Sequence, residues 1–187
     1  MGAEKFMMPF DLTYLHSESP NIQLSVYQHQ YRAQIIELIL KIQQEEFEIS
    51  ISLDDQPDLQ NISDFYQKEN GNFWIALDGD KVIGTIAAID IGNCRLALRK
   101  MFVAANYRGK HVGTGNQLLY SLLSWAKAKD IQEIYLGTTG KFKAAHRFYE
   151  KNGFIEINKS DLPATFPLMQ VDTKFYKLSL MPKSHAK

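Results

Sequence analysis

Between Tyr107 and Gly115 the chain runs Tyr-Arg-Gly-Lys-His-Val-Gly-Thr-Gly, and a strongly amphipathic stretch follows at once. Leu118, Leu122 and Ala126 recur at helical spacing, with Leu119 and Leu123 widening the stripe. That spacing predicts a helix from about Thr114 to Lys129. Three glycines before it let the backbone turn tightly and approach a ligand without interference from a β-carbon. Amides at the start of the following helix lack intrahelical partners and favour an anion, and Arg108 and Lys110 add positive charge beside them. A basic, glycine-rich surface turn with no ligand is the plainer alternative. Two other phosphate motifs fail on spacing. The dinucleotide fingerprint places a third glycine where Leu118 stands, and the nucleoside-triphosphate loop needs Ser or Thr after Gly109-Lys110, where His111 stands.

The elements around this turn follow from periodicity. A short strand is predicted at Ile22 to Tyr27, then a helix carrying Ile35, Ile39 and Ile42 and ending near Phe47. A second short helix covers Leu59 to Gln67. Phe73 to Leu77 and Lys81 to Ile91 flank Asp78-Gly79-Asp80 as a hairpin, and Arg95 to Val103 supplies a third strand. After the long helix come a strand at Ile131 to Leu136, a helix at Phe142 to Lys151 ended by Asn152-Gly153, and strands near Phe154 to Ile157 and Val171 to Leu180. The order gives a mixed α/β layer structure. With 187 residues and no internal repeat or linker, one domain is expected over residues 21–187, preceded by an irregular extension over residues 1–20.

The charge balance narrows the partners. Lysine plus arginine number 21 and aspartate plus glutamate 21, so no broad basic footprint for nucleic acid is present. No apolar run approaches the roughly 20 residues of a membrane span, and residues 1–20 have no apolar centre of the secretory kind. Cys94 is the sole cysteine, which excludes an internal disulfide. The expectation is a cytoplasmic protein acting without a metal, since no histidine lies in a metal-spaced cluster.

Two segments in order, Leu98-Arg99-Lys100-Met101-Phe102-Val103 with the turn that follows, and Ala145-His146-Arg147-Phe148-Tyr149-Glu150-Lys151-Asn152-Gly153-Phe154, resemble the GNAT superfamily of N-acetyltransferases. The resemblance implies a mostly antiparallel sheet with a central, splayed pair of parallel strands, here those ending near Val103 and Leu136, and helices on both faces. It implies acetyl-CoA as co-substrate, with the backbone of Met101, Phe102 and Val103 along the pantetheine arm. Arg108, Gly109, Lys110, His111, Val112, Gly113, Thr114 and Gly115 would surround the pyrophosphate, and Ala145 would lie on the cofactor side of its helix. It also implies direct acetyl transfer to a primary amine of a small molecule or amino acid; a CoA-binding sensor with little activity is the alternative. Relatives often dimerise, although no interface stripe is visible here.

The sequence departs from the family pattern in three places. Aligned from Arg108, a glycine position falls on His111; aligned from the helix, Gly113-Thr114-Gly115 fits and Lys110 takes the basic position, and we prefer this second alignment. The asparagine common three residues before Ala145 is Phe142, and a glutamate found on the third strand in some members is replaced by Arg99 and Lys100. Tyr149 matches the family tyrosine often assigned to proton donation to the CoA sulfur; packing beside Phe148, or a hydrogen bond that holds CoA without proton transfer, is its other reading. Arg99 either faces the cleft, where it would attract an acidic substrate, or projects to solvent. Glu45, Glu46 and Glu48 are base candidates or a solvated helix end. Residues Asp161 to Pro167 and Met169 to Tyr176 either line the acceptor pocket or form a pinned loop leading into an exposed strand.

Overall fold

The computed structural model describes residues 21–180; the expected extension over residues 1–20 lies outside the described residues, as do residues 181–187. Seven strands form one sheet: β1 (Ile22–Val26), β2 (Asn72–Asp78), β3 (Lys81–Asp90), β4 (Arg95–Val103), β5 (Glu133–Thr138), β6 (Ile155–Ile157) and β7 (Lys174–Ser179). Their spatial order is β1-β2-β3-β4-β5-β7-β6. The β2–β3 hairpin closes through Asp78 and Lys81, with Gly79 at a φ of 58° supplying the left-handed residue.

Every neighbouring pair is antiparallel except β4 and β5. These two pair only at Arg95 with Glu133, Leu96 with Ile134 and Ala97 with Tyr135, and then diverge. β4 continues six residues past its last pairing with β5, to Val103, while its other edge stays bonded to β3. An irregularity opposite Ile86 makes this possible. Thr85 pairs with Phe102 and Ala87 with Arg99, so Lys100 and Met101 share one position and Lys100 takes a φ of 51°.

Side-chain alternation sends the sheet's apolar residues to both faces. On one face Leu118, Leu119, Leu122 and Ala126 of α4 (Thr114–Ala128) and Tyr149 of α5 (Lys143–Lys151) pack with Ile86, Leu96, Leu98, Ile134 and Leu136. On the other, Ile35 and Ile39 of α1 (Arg32–Lys41), Leu59 of α2 (Pro57–Gln60) and Ile62 and Tyr66 of α3 (Ile62–Tyr66) cover Phe73, Ile75 and Ala87. Thus the single helix predicted over Leu59 to Gln67 is two short ones, broken at Asn61 where φ is −139°. α1 runs on into a π-helical turn, Ile42–Glu46.

The last strand differs from the expectation. β7 lies between β5 and β6, with Phe175 and Tyr176 buried, so it is an interior strand. It starts at Lys174 because Met169 to Asp172 closes on itself: the Asp172 amide donates to the Met169 carbonyl and the Met169 amide to Asp172 Oδ2, each at 3.1 Å.

Candidate active site

The divergence of β4 and β5 opens a cleft of about 590 Å³. It runs from the turn before α4, past the exposed edge of β4, to Arg99, Met169 and Asp172 on the opposite face. Ten of the thirteen residues singled out from the sequence line it: Met101, Phe102, Val103, Arg108, Gly109, Lys110, Gly113, Gly115, Ala145 and Tyr149. His111 is exposed on the turn, Val112 is half-buried, and Thr114 is buried at the base of α4; these three do not line it.

The turn is built by backbone geometry. Gly109 and Gly113 have φ of 93° and 72°, and the Gly113 amide donates to the Gly109 carbonyl at 3.0 Å. Gly113 is the N-cap of α4 in the left-handed conformation, and a short 3-10 turn at Ala105–Tyr107 precedes the glycine-rich segment. Gln117 is the first residue of α4 whose amide finds a carbonyl, that of Gly113 at 3.0 Å. The amides of Thr114, Gly115 and Asn116 have no acceptor among the described residues, and Gly115 and Asn116 border the cleft. Three free donors at a helix start, with Lys110 and Arg108 alongside, fit an anionic group such as pyrophosphate.

Arg108 is held on the cleft rim. Its Nε donates to the Val103 carbonyl at 2.6 Å, and its Nη1 pairs with Glu46 Oε2 at 2.6 Å. Lys141 Nζ donates to the Phe47 and Glu48 carbonyls at 3.2 and 3.1 Å, and the Phe47 ring meets Phe142 edge-on at 4.5 Å. The chain after α1 thus reaches across to the loop following β5. Phe142, where the family's asparagine is common, is a packing residue.

Tyr149 lies deeper, buried on α5 with its ring 5.6 Å from Phe154 and 6.0 Å from Tyr176. Burial, then the neighbouring Tyr176, holds its phenol well above the ordinary value, so it stays protonated. Its hydroxyl has no hydrogen-bond partner among the described residues, and Tyr149 is one of the residues that line the cleft. His146, one turn earlier, instead pairs through Nε2 with the Thr139 carbonyl at 3.0 Å. Cys94 is exposed in the turn before β4 and does not line the cleft.

Sequence patterns gave no sign of the polar cluster on the wall formed by α2. Lys100, turned inward by the bulge, reaches Asp58 Oδ2 at 3.1 Å and Gln56 Oε1 at 2.6 Å. Tyr66 donates to the same Asp58 oxygen at 2.5 Å, and Gln56 donates to Gln43 at 2.9 Å. Burial pulls the Lys100 ammonium down from its ordinary value and Asp58 opposes that pull. Because both charges are buried, each is tolerated only through the other. Lys100 thereby ties β4 to α2 rather than offering a free cation.

Arg99 faces the cleft, half-buried, and not bulk solvent. It donates through Nη1 to the Pro167 carbonyl at 3.2 Å and through Nη2 to the Met169 sulfur. The segment before β7 is both wall and loop: Phe166 is buried against Phe175, while Met169, Val171 and Asp172 line the cleft.

The family model of the acetyltransferase (GNAT) family matches residues 36–154, which includes the turn, both splayed strands and α5. The chain belongs to the GNAT family of acetyltransferases. An acetyltransferase of the GNAT family from Staphylococcus aureus Mu50 is 43% identical, with 86% of this chain and 99% of that one covered and a TM-score of 0.83. The PaiA N-acetyltransferase of Thermoplasma acidophilum, solved in complex with coenzyme A, shares the fold at 17% identity, with 85% and 99% covered and a TM-score of 0.67. Among curated relatives, the N-acetylaspartate synthetase of Xenopus tropicalis is 40% identical over 104 residues, 54% of this chain and 37% of that protein. The chain therefore matches about a third of the length of that relative. Within the GNAT fold seen here, the β4–β5 opening, the α4 turn and Tyr149 share one cleft, and among the described residues no helix is long and apolar enough to cross a membrane.

Proposed function

We propose that the protein is an acetyl-CoA-dependent N-acetyltransferase that moves the acetyl group directly to a primary amine of a small molecule or amino acid. One observation carries the proposal: the unpartnered amides of Gly115 and Asn116 at the start of α4 and the buried, neutral phenol of Tyr149 belong to residues that line one cleft. Coenzyme A bound to the PaiA protein and the amino-acid product in the name of the N-acetylaspartate synthetases support the same reading.

The residues divide the work by position. The amides of Thr114, Gly115 and Asn116, with Lys110, hold the pyrophosphate; Arg108 can add its charge after leaving Glu46. The β4 edge from Met101 to Val103, unpaired on the β5 side, hydrogen-bonds the pantetheine amides as an added strand would. Acetyl-CoA supplies the activated thioester. Tyr149 Oη holds a proton at the position of the departing sulfur, and the apolar surroundings that keep the phenol neutral also exclude water. The amine enters from the face carrying Arg99 and Asp172.

Calorimetric titration with acetyl-CoA, followed by thiol release with a panel of primary amines, tests the proposal. Saturable binding with amine-dependent release is the expected result. Binding without release would favour a CoA-sensing domain, and no binding by folded protein would reject both.

A further inference from the structure

The acceptor end of the cleft carries opposite charges on its two sides. Arg99 and Gly137 each stand two residues beyond Ala97 and Tyr135, the last parallel pair of β4 and β5. By strand alternation both therefore direct their β-positions to the face that holds Ala97, Tyr135, Phe166 and Phe175. Gly137 has no side chain there; a β-carbon would overlap the carboxylate of Asp172, which occupies that space. Arg99 and Asp172 thus face each other across the opening strands.

They do not form an ion pair. The donors of Arg99 described above meet a neutral carbonyl and a thioether, and no carboxylate of the described residues lies within ion-pair distance of its guanidinium. Asp172 Oδ2 accepts from the Met169 amide, while Oδ1 has no hydrogen-bond partner among the described residues. A half-buried guanidinium and a half-buried carboxylate, each with capacity to spare and both lining one cleft without pairing to each other, complement a small zwitterion. The neighbouring Lys100 is excluded as the anion receptor, because its ammonium is already paired with Asp58.

We infer that the amine acceptor is an amino carboxylic acid, its carboxylate held by Arg99 and its ammonium by Asp172. This rests on the acetyl transfer proposed above and adds the acceptor's second functional group. An amine lacking the carboxylate leaves the half-buried guanidinium unmatched, so discrimination arises from both an attraction and a desolvation penalty.

The test compares thiol release for L-alanine, L-aspartate, L-glutamate and L-phenylalanine with that for their α-carboxamides and decarboxylated amines. The wild-type protein should favour at least one of these acids by about 10- to 100-fold in kcat/KM over its matched neutral derivatives, the size of a charge-assisted bidentate contact. Arg99→Gln should bring that ratio toward one, with Arg99→Lys restoring part of it. Asp172→Asn and Gly137→Ala, which removes the charge and displaces it respectively, should raise KM for the preferred acid. Acetyl-CoA titration of each variant verifies that the fold and the nucleotide end persist. Carboxamides or decarboxylated amines used as well as the acids by the wild type would overturn the clamp alone, needing no variant to fold. An acid preference unchanged in Arg99→Gln would also overturn it. Failure of every amine to release thiol would reject the transfer reading, and the clamp with it.

Discussion

At Tyr149 the same burial that packs the ring against Phe154 also fixes its protonation. Desolvation raises the phenol's pKa, so the protonated form is present at every pH below that raised value and is lost only above it. The amine acceptor needs the opposite, deprotonation, which improves as pH rises. Activity should therefore climb with pH and show no descending limb from Tyr149 up to about pH 10. A descending limb near neutrality that vanishes in Tyr149→Phe would contradict this. Tyr149→Phe itself should lower kcat on the order of 100-fold with little change in acetyl-CoA affinity. Lys100 and Asp58 set a different kind of demand. With their side chains 4% and 6% exposed, removing one partner strands the other, and Asp58→Ala should destabilise the fold by about 3–5 kcal/mol in urea unfolding. A loss below 1 kcal/mol would mean that water reaches the pair.

The elements divide by how far their causes lie along the chain. The α4 turn and α5 were legible because their signals are local: glycine before an amphipathic helix, and a helix closed by Asn152-Gly153. The role of Lys100 was not. A bulge in β4 interrupts the alternation that would place it, and its partners Gln56 and Asp58 come from a segment read only as polar and proline-containing. Asp172 was hidden for a topological reason, since its position against Gly137 follows from β7 entering between β5 and β6. Backbone geometry makes the turn testable. A β-carbon at Gly113 meets nothing within 4 Å, yet φ is 72°, so Gly113→Glu should lose about 1–2 kcal/mol from the left-handed conformation. Its carboxylate should also weaken acetyl-CoA binding by at least about tenfold, since it opposes the pyrophosphate at close range. Gly115→Ala is the contrast: its β-carbon would sit at an ordinary 3.5 Å from Met101 and Phe148, and the fold should retain its stability. Thermal unfolding and calorimetry of the two variants separate these effects.

Across the whole molecule, the cleft joins elements distant in sequence: the chain after α1, the β4 edge, the α4 turn, the α5 face and the segment before β7. A ligand bridging them stabilises the folded state alone. Acetyl-CoA at about 100 times its Kd should contribute about 2.7 kcal/mol, which raises Tm by about 5–10 °C for a domain of this size. No shift at saturating acetyl-CoA would mean that the cleft does not hold it. The central claim is the transfer itself, and the most direct measurement follows an isotope-labelled acetyl group from acetyl-CoA by mass spectrometry of the amine. Labelled N-acetyl product formed in step with free thiol, and reduced in Tyr149→Phe, is the predicted result. Thiol release with no label on the amine would show hydrolysis in place of transfer and contradict it.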